Sequence, residues 1–243
     1  MEKDWLERTR LLVKEEGIAR LRVANVLVVG LGGVGSFAAE FLVRAGVSRL
    51  TIVDGDTVDM TNINRQLLAL RSTVGKAKAE VMAARLLDIN PELELRVINE
   101  LLTPEQAEEL VDPVYDYVVD CIDSISPKLS LMRAAKGKKV KLISCMGAGG
   151  ALDPSQVKVA DIRKTRNCPL AKTIRKRLKK ERIHSGIKAV YSEEIVSKDT
   201  MERTDGSNYK KSYYGTMSYM PAVFGLQAAA VVVNFLLKKG TSS

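Results

Sequence analysis

Apolar residues along this chain alternate between two rhythms. Short, mostly apolar runs at Val26 to Val29, Arg49 to Val53, Leu93 to Ile98, Tyr115 to Cys121 and Val140 to Ser144 read as strands, the first of them a continuous apolar run suited to burial on both faces. Between them, longer stretches carry apolar side chains at helical spacing: residues 5–22, Val34 to Ala45, Val74 to Asn90 (Val81, Ala84, Leu87) and Ser126 to Gly137. Gly46 and Pro91 stand where two of these helices should stop. Thr103-Pro-Glu-Gln reads as a capped helix start, with Thr at the cap and Pro in the first turn, and its helix should end before Asp112-Pro113. The alternation predicts an α/β fold: a doubly wound, mainly parallel, Rossmann-like sheet.

Beyond Gly147 the pattern changes. Gly147-Ala-Gly149-Gly150 holds regular structure poorly, and Val157 to Ile162 reads as a strand outside the alternating scheme. Ser192 to Tyr214 is polar, with Asp205-Gly206 as a turn inside a mobile loop. Met220 to Leu237 is apolar except for Gln227 and Asn234. Pro221, Gly225 and that polar pair suit a buried, sheet-covering helix, while Lys238 and Lys239 leave open a peripheral membrane association through 220–239. The expected organisation is a single domain over 1–243, with a nucleotide-binding half (1–146) and a substrate-facing α+β extension (147–243).

Composition narrows the class. In 243 residues, 38 Lys and Arg face 29 Asp and Glu, a formal charge of +9 that favours anionic partners. Ten cations fall between Arg163 and Arg182: Arg163, Lys164, Arg166, Lys172, Arg175, Lys176, Arg177, Lys179, Lys180 and Arg182. Such a run is either a solvated helix or a surface for a phosphate backbone. Cys121, Cys145 and Cys168 form no C-x-x-C pair, which argues against structural zinc and a disulfide framework and for a reducing, cytoplasmic location. The charged start MEKDWLERTRLLVKEE has no apolar core of a secretory signal.

The candidate chemistry begins at Val26. A strand-like VLVVG runs into Gly30-x-Gly32-Gly33-x-Gly35, a tight turn that brings backbone N–H groups to phosphate at a helix N-terminus. The glycines alone also serve dinucleotide enzymes, and Asp54 falls at the spacing of a ribose contact. The polar residues downstream depart from a dinucleotide site: Asp56, then Asn62-x-Asn64-Arg65-Gln66, then Lys78. A pyrophosphate that is bound and never cleaved has no need of Arg65 and Lys78 converging on it, whereas phosphorus chemistry does. Asp120 and Asp123 close the Tyr115 to Cys121 strand at the ligand-binding edge of a parallel sheet. Asp123 is a candidate magnesium ligand, and Asp120 has the stronger structural reading. His184, the only histidine, is assigned no catalysis.

The pieces GLGGVGS, VDGDTVDMTNINRQ, VGKAKAE and VDCIDS resemble the adenylating domain shared by ubiquitin-activating enzymes and bacterial ThiF and MoeB proteins. The resemblance implies that Gly32 and Gly35 line ATP, that Asp54 holds the ribose hydroxyls, that Asn64, Arg65, Gln66 and Lys78 hold the phosphates, and that Asp123 holds Mg2+. It also implies that Arg10 reaches the triphosphate from the opposite subunit of a homodimer. Within that superfamily, QLLALRSTVGKAKAEVMAARLLDINPE, DCIDSISPK and GAGGALDPSQVKVADI are most similar to the tRNA threonylcarbamoyladenosine dehydratase family, from about Leu11 to Lys238.

That likeness implies ATP-dependent cyclisation of threonylcarbamoyladenosine in a tRNA substrate through a carboxyl-adenylate. The alternative is adenylation of the C-terminus of a ubiquitin-like sulfur carrier, which the missing zinc cysteines and the basic run disfavour; docking of a sulfur-relay partner stays open. Where some relatives place a cysteine just before Tyr191-Ser-Glu-Glu, this chain has Ala189 and Val190, which excludes a persulfide or thioester there. Cys168 is the remaining candidate nucleophile, although the expected chemistry needs none.

Overall fold

The computed structural model describes residues 4–203 and 212–239. Seven strands form one sheet in the order β3-β2-β1-β4-β5-β7-β6. These are β1 (Asn25–Val29), β2 (Arg49–Val53), β3 (Glu94–Ile98), β4 (Tyr117–Asp120), β5 (Lys141–Cys145), β6 (Val157–Asp161) and β7 (Lys188–Ser192). All pairings are parallel except β6 with β7. Alternate residues of each buried strand serve opposite faces. Val26 and Val28 enter one apolar cluster with helices α2 (Gly35–Ala45), α3 (Lys78–Ile89) and α7 (Tyr219–Lys238). Leu27 and Val29 enter a second cluster with α4 (Pro104–Leu110), α5 (Ile125–Gly137) and α6 (Pro169–Lys180). The doubly wound reading therefore holds.

The chain winds outward from β1 through β2 to β3, then returns to place β4 on the other side of β1. Loops leaving β1 and β4 diverge there, and that switch point opens the crevice in which α/β sheets bind ligands.

Local signals explain most element ends. The Thr103 hydroxyl accepts from the Gln106 N–H at 3.2 Å and the Gln106 carboxamide accepts from the Thr103 N–H at 2.9 Å, closing the expected box around Pro104. Gly46 ends α2 with φ of 108°. Other expectations need correction. The third helix starts at Lys78, not Val74, because residues 74–77 turn back on 57–58: Gly75 N–H donates to the Val58 carbonyl and Val58 N–H to the Lys76 carbonyl, both at 2.8 Å. The first helix, α1 (Glu7–Val23), is broken at Lys14, whose φ is 61°. Strand β7 and the hairpin of β8 (Met201–Arg203) with β9 (Ser212–Tyr214) were not expected. Both lie in polar or basic surroundings where period-2 patterning is faint. The expected turn at Asp205-Gly206 lies outside the described residues.

Helix α7 is long and apolar enough, by length and composition, to cross a membrane. Here it buries Met220, Phe224, Ala228, Val232 and Leu236 as one stripe in the core. Its approach to α2 is close: a Cβ on Gly225 would stand 2.5 Å from the Val34 carbonyl oxygen.

Candidate active site

The glycine loop is shaped by contacts no side chain could tolerate. Gly30 has φ of +87°, and a Cβ there would lie 2.9 Å from the carbonyl oxygen of Cys121, just past β4. A Cβ on Gly35 would lie 1.7 Å from the Gly30 carbonyl oxygen, so α2 begins directly against the end of β1. Gly33 abuts Pro221 and the Arg65 carbonyl. Gly32 is different: its nearest neighbour is Gln66 Nε2, 3.8 Å from where a Cβ would stand, so its surface is open to a ligand. The residue at the N-cap of α2, Val34, offers its first turn no side-chain hydrogen bond, which leaves the positive end of the helix dipole for an anion.

Asp54, just past the end of β2, ties the loop in place. One carboxylate oxygen accepts from the Leu31 N–H at 2.6 Å and the other from the Asp56 N–H at 2.9 Å. Burial pushes the Asp54 carboxyl above its ordinary value, against the opposing pull of Lys78 and these two amides. Each oxygen keeps a lone pair, which suits a pair of hydroxyls.

Lys78 begins α3 with its side chain almost wholly buried, and its Nζ donates to Asp56 at 2.9 Å. Asp56 is therefore the partner that holds the cation. The Asn62 to Gln66 run forms the next wall. Asn62 is buried, and its carboxamide oxygen accepts from the Asp59 N–H at 3.2 Å. It shapes the turn that presents Asn64, Arg65 and Gln66, and among the described residues its side-chain hydrogen bonds stay within that turn. Arg65 donates to the Thr61 carbonyl at 2.7 Å and to Asn64 Oδ1 at 2.9 Å, while Asn64 Nδ2 donates to the Thr216 carbonyl at 3.0 Å. Asn64 thus links Arg65 to the segment just beyond β9, a tie to a distant part of the chain that the linear motif did not foretell.

Gln66 Oε1 is buried and has no hydrogen-bond partner among the described residues. An orphaned acceptor calls for a hydroxyl or amino donor, which a nucleoside carries and a phosphate lacks. Together with the open face at Gly32 and the uncapped helix, it fits a nucleoside phosphate in this crevice.

Asp123 is exposed in the loop between β4 and α5, beside Ser124. No cluster of three His, Cys, Asp or Glu side chains is found among the described residues. One exposed carboxylate is a donor set that Mg2+ accepts when phosphate and water supply its remaining ligands. Asp120 is wholly buried and bonded to Lys128 at 2.8 Å, so the structural reading prevails for it. Sequence reasoning missed Lys128; its only signal was a cation set among Pro127, Leu129 and Leu131 on the buried face of α5.

Two further residues lie away from the crevice. Arg10 sits on α1, paired with Asp4 and Glu15, and the hydrogen bond it donates to Asp4 raises its guanidinium pKa further. Neighbouring Leu6 packs on Gly46 at the far end of α2, about 16 Å along that 11-residue helix from Gly35. The chain does not bring Arg10 to its own glycine loop. Cys168 is buried and its sulfur accepts from the Ala171 N–H at the start of α6. The Cys121 thiol is pushed well above its ordinary value by its hydrogen bond with Cys145 and by burial, a state unsuited to a nucleophile.

The ThiF family model matches residues 6–243 of this chain. The tRNA threonylcarbamoyladenosine dehydratase of Bacillus subtilis is 42% identical over 238 residues, covering 95% of this chain and 94% of that protein. That of Haemophilus influenzae is 38% identical over 240 residues, with 94% and 91% covered. A crystal structure of the E. coli tRNA N6-threonylcarbamoyladenosine dehydratase, TcdA, in complex with ATP superposes with a TM-score of 0.86 at 37% identity, covering 96% of this chain and 93% of that one. A crevice built for a nucleoside phosphate and matches along nearly the whole chain agree: the protein belongs to the ThiF family and, within it, groups with the tRNA threonylcarbamoyladenosine dehydratases.

Proposed function

We propose that this protein uses ATP to dehydrate threonylcarbamoyladenosine in tRNA, closing a ring through a carboxyl-adenylate. The nucleoside carboxylate attacks the α-phosphorus of ATP, giving an acyl-adenylate and pyrophosphate. The neighbouring carbamoyl group then attacks the activated carbonyl, AMP departs with the carboxylate oxygen, and the net loss from the nucleoside is one water. Activation is needed because hydroxide is a poor leaving group and AMP a good one. Holding both groups on one nucleoside makes the second step intramolecular.

The observation that carries this reading is the pairing of a cradle with cations: the open Gly32 face and uncapped α2 stand with Arg65 and Lys78 around one crevice. The amides would position the α-phosphate, Arg65 and Lys78 would stabilise charge as the bond to pyrophosphate breaks, and Asp54 would hold the ribose. Mg2+, held by Asp123 and phosphate oxygens, would supply further charge neutralisation.

Two assembly features belong to the same reading. Arg10, remote from its own crevice, could serve only the crevice of a second copy, and exposed Leu11, Leu12 and Leu226 offer apolar area for a homodimer. The tRNA would lie on α6, where Ala171, Ile174 and Leu178 face the core and Lys172, Lys176, Arg177, Lys179 and Lys180 face solvent with no ion pair among the described residues. Its start is tied to the crevice edge of the sheet by Asn167, which donates to the Glu193 carbonyl just after β7 at 2.7 Å.

The test incubates the protein with ATP, Mg2+ and tRNA, digests the RNA, and looks by mass spectrometry for a modified adenosine lighter by one water. Its absence, together with adenylation of a sulfur-carrier tail, would overturn the reading in favour of that alternative.

A further inference from the structure

Beneath the crevice lies a charged group that the reaction does not touch. Lys128, Asp120 and Ser144 are each fully buried. Lys128 Nζ donates to Asp120 Oδ2 at 2.8 Å and to Ser144 Oγ at 3.0 Å, and the Ser144 hydroxyl donates to the same carboxylate oxygen at 2.6 Å. The other Asp120 oxygen accepts from the Ile122 N–H at 3.0 Å. Three elements meet in this group: the end of β4, the first turns of α5, and β5.

Stability alone explains this arrangement poorly. A buried ion pair is often no better than apolar residues of the same volume, because desolvation consumes the Coulombic gain. The placement of Lys128 adds a second cost. It is the fourth residue of α5, near the positive end of the helix dipole, in a first turn without acidic residues. A cation that is both desolvated and set against a dipole is better explained by what it holds.

What it holds is the loop from Cys121 to Ser124. Asp120 fixes the peptide of Ile122 on one side of Cys121, and the Cys121 carbonyl packs on Gly30. The next residue along the loop is Asp123. We infer that Lys128 is a positioning residue: through Asp120 it sets the loop that aims Asp123 into the crevice and keeps that loop in register with Gly30. The inference rests on the proposed role of Asp123 toward Mg2+ and ATP.

The test compares the native protein with K128M/D120N, which removes both charges and keeps an oxygen for the Ile122 N–H, and with S144A, which removes one hydrogen bond without unbalancing charge. ATP binding is measured by calorimetry with Mg2+ and with EDTA, beside thermal unfolding and single-turnover adenylation. Supporting residues of a metal site typically change its affinity by about 10- to 100-fold. In the folded double variant, ATP affinity in EDTA should stay native while the gain conferred by Mg2+ falls about tenfold and adenylation slows in step, with S144A between the two. A purely structural role would lower the unfolding temperature and leave the Mg2+ gain intact, and that result in either variant overturns the inference. If the double variant does not fold, S144A decides. A native protein without any Mg2+ gain would instead refute the Asp123 reading, and unchanged adenylation in S144A would then refute the positioning role as well.

Discussion

Lys78 donates its Nζ to Asp56 at 2.9 Å and its backbone N–H to the Asp56 carbonyl at the same distance, so the first residue of α3 is clamped twice by the loop leaving β2. The cation is nearly buried, but Asp56 is 44% exposed on its side chain, which leaves room for an incoming phosphate to share the ammonium.

Removing that ammonium should act on chemistry more than on folding. Lys78→Met is expected to slow adenylation by about a hundredfold, the typical cost of one charge-stabilising donor, with little change in unfolding temperature. Asp56→Asn should cost far less, since Lys78 keeps its backbone tie. Pyrophosphate release in single-turnover experiments measures both.

The glycine loop predicts opposite outcomes from the same substitution. Gly35→Ala drives a Cβ to 1.7 Å from the Gly30 carbonyl and should destabilise the fold by about 2–3 kcal/mol, read from chemical denaturation. Gly32→Ala meets only Gln66 Nε2 at 3.8 Å, so it should fold normally and lose ATP affinity by obstructing the open face.

Asp54 sets a pH dependence. Because burial lifts its folded pKa above the ordinary 3.8, the native state holds this proton where the unfolded chain has lost it. Between 3.8 and the raised value, the Asp54 contribution to stability therefore declines as pH rises, while the carboxylate suited to hydroxyl donors becomes dominant only above the raised value. ATP affinity should fall on acidification before ordinary aspartates titrate, and Asp54→Asn should bind weakly with a flatter profile; calorimetry across the acid range checks this.

Charge reversal on α6 separates substrate docking from nucleotide chemistry. Replacing Lys172, Lys176 and Lys179 by Glu should weaken tRNA binding by at least about tenfold and flatten its dependence on log salt by about 0.9 for each phosphate left without a cation. ATP binding should not change. Filter binding over a salt series provides both numbers, and an unaltered slope would remove α6 from the interface.

Much of the crevice was legible because its parts are local. Gly30 to Gly35, Asp54 and Lys78 act within a few residues of a strand end or helix start, and their spacing alone places them on one sheet edge. Asn62 carries a local duty that its motif does not show: its carboxamide oxygen closes the turn at Asp59. Arg10 could not be placed by pattern, since its pairing with Asp4 and Glu15 depends on how the chain bends at the start of α1. Lys128 was invisible because nothing near it in sequence shows that β4 and β5 deliver Asp120 and Ser144 to its ammonium.

By itself the sequence determined the alternation of strands and helices, the parallel sheet, the glycine cradle with its cations, and the basic run of the second half. These arise from side-chain periodicity, backbone freedom and net charge, which are properties of short stretches. Only the tertiary structure decided that Asp120 is structural, that Asn64 ties Arg65 to Thr216, that Gln66 holds an unmet acceptor, and that α7 buries an apolar stripe against α2. Each of those depends on contacts between residues far apart in the chain, and burial, which sets whether a polar atom must find a partner, exists only once the chain has closed around it.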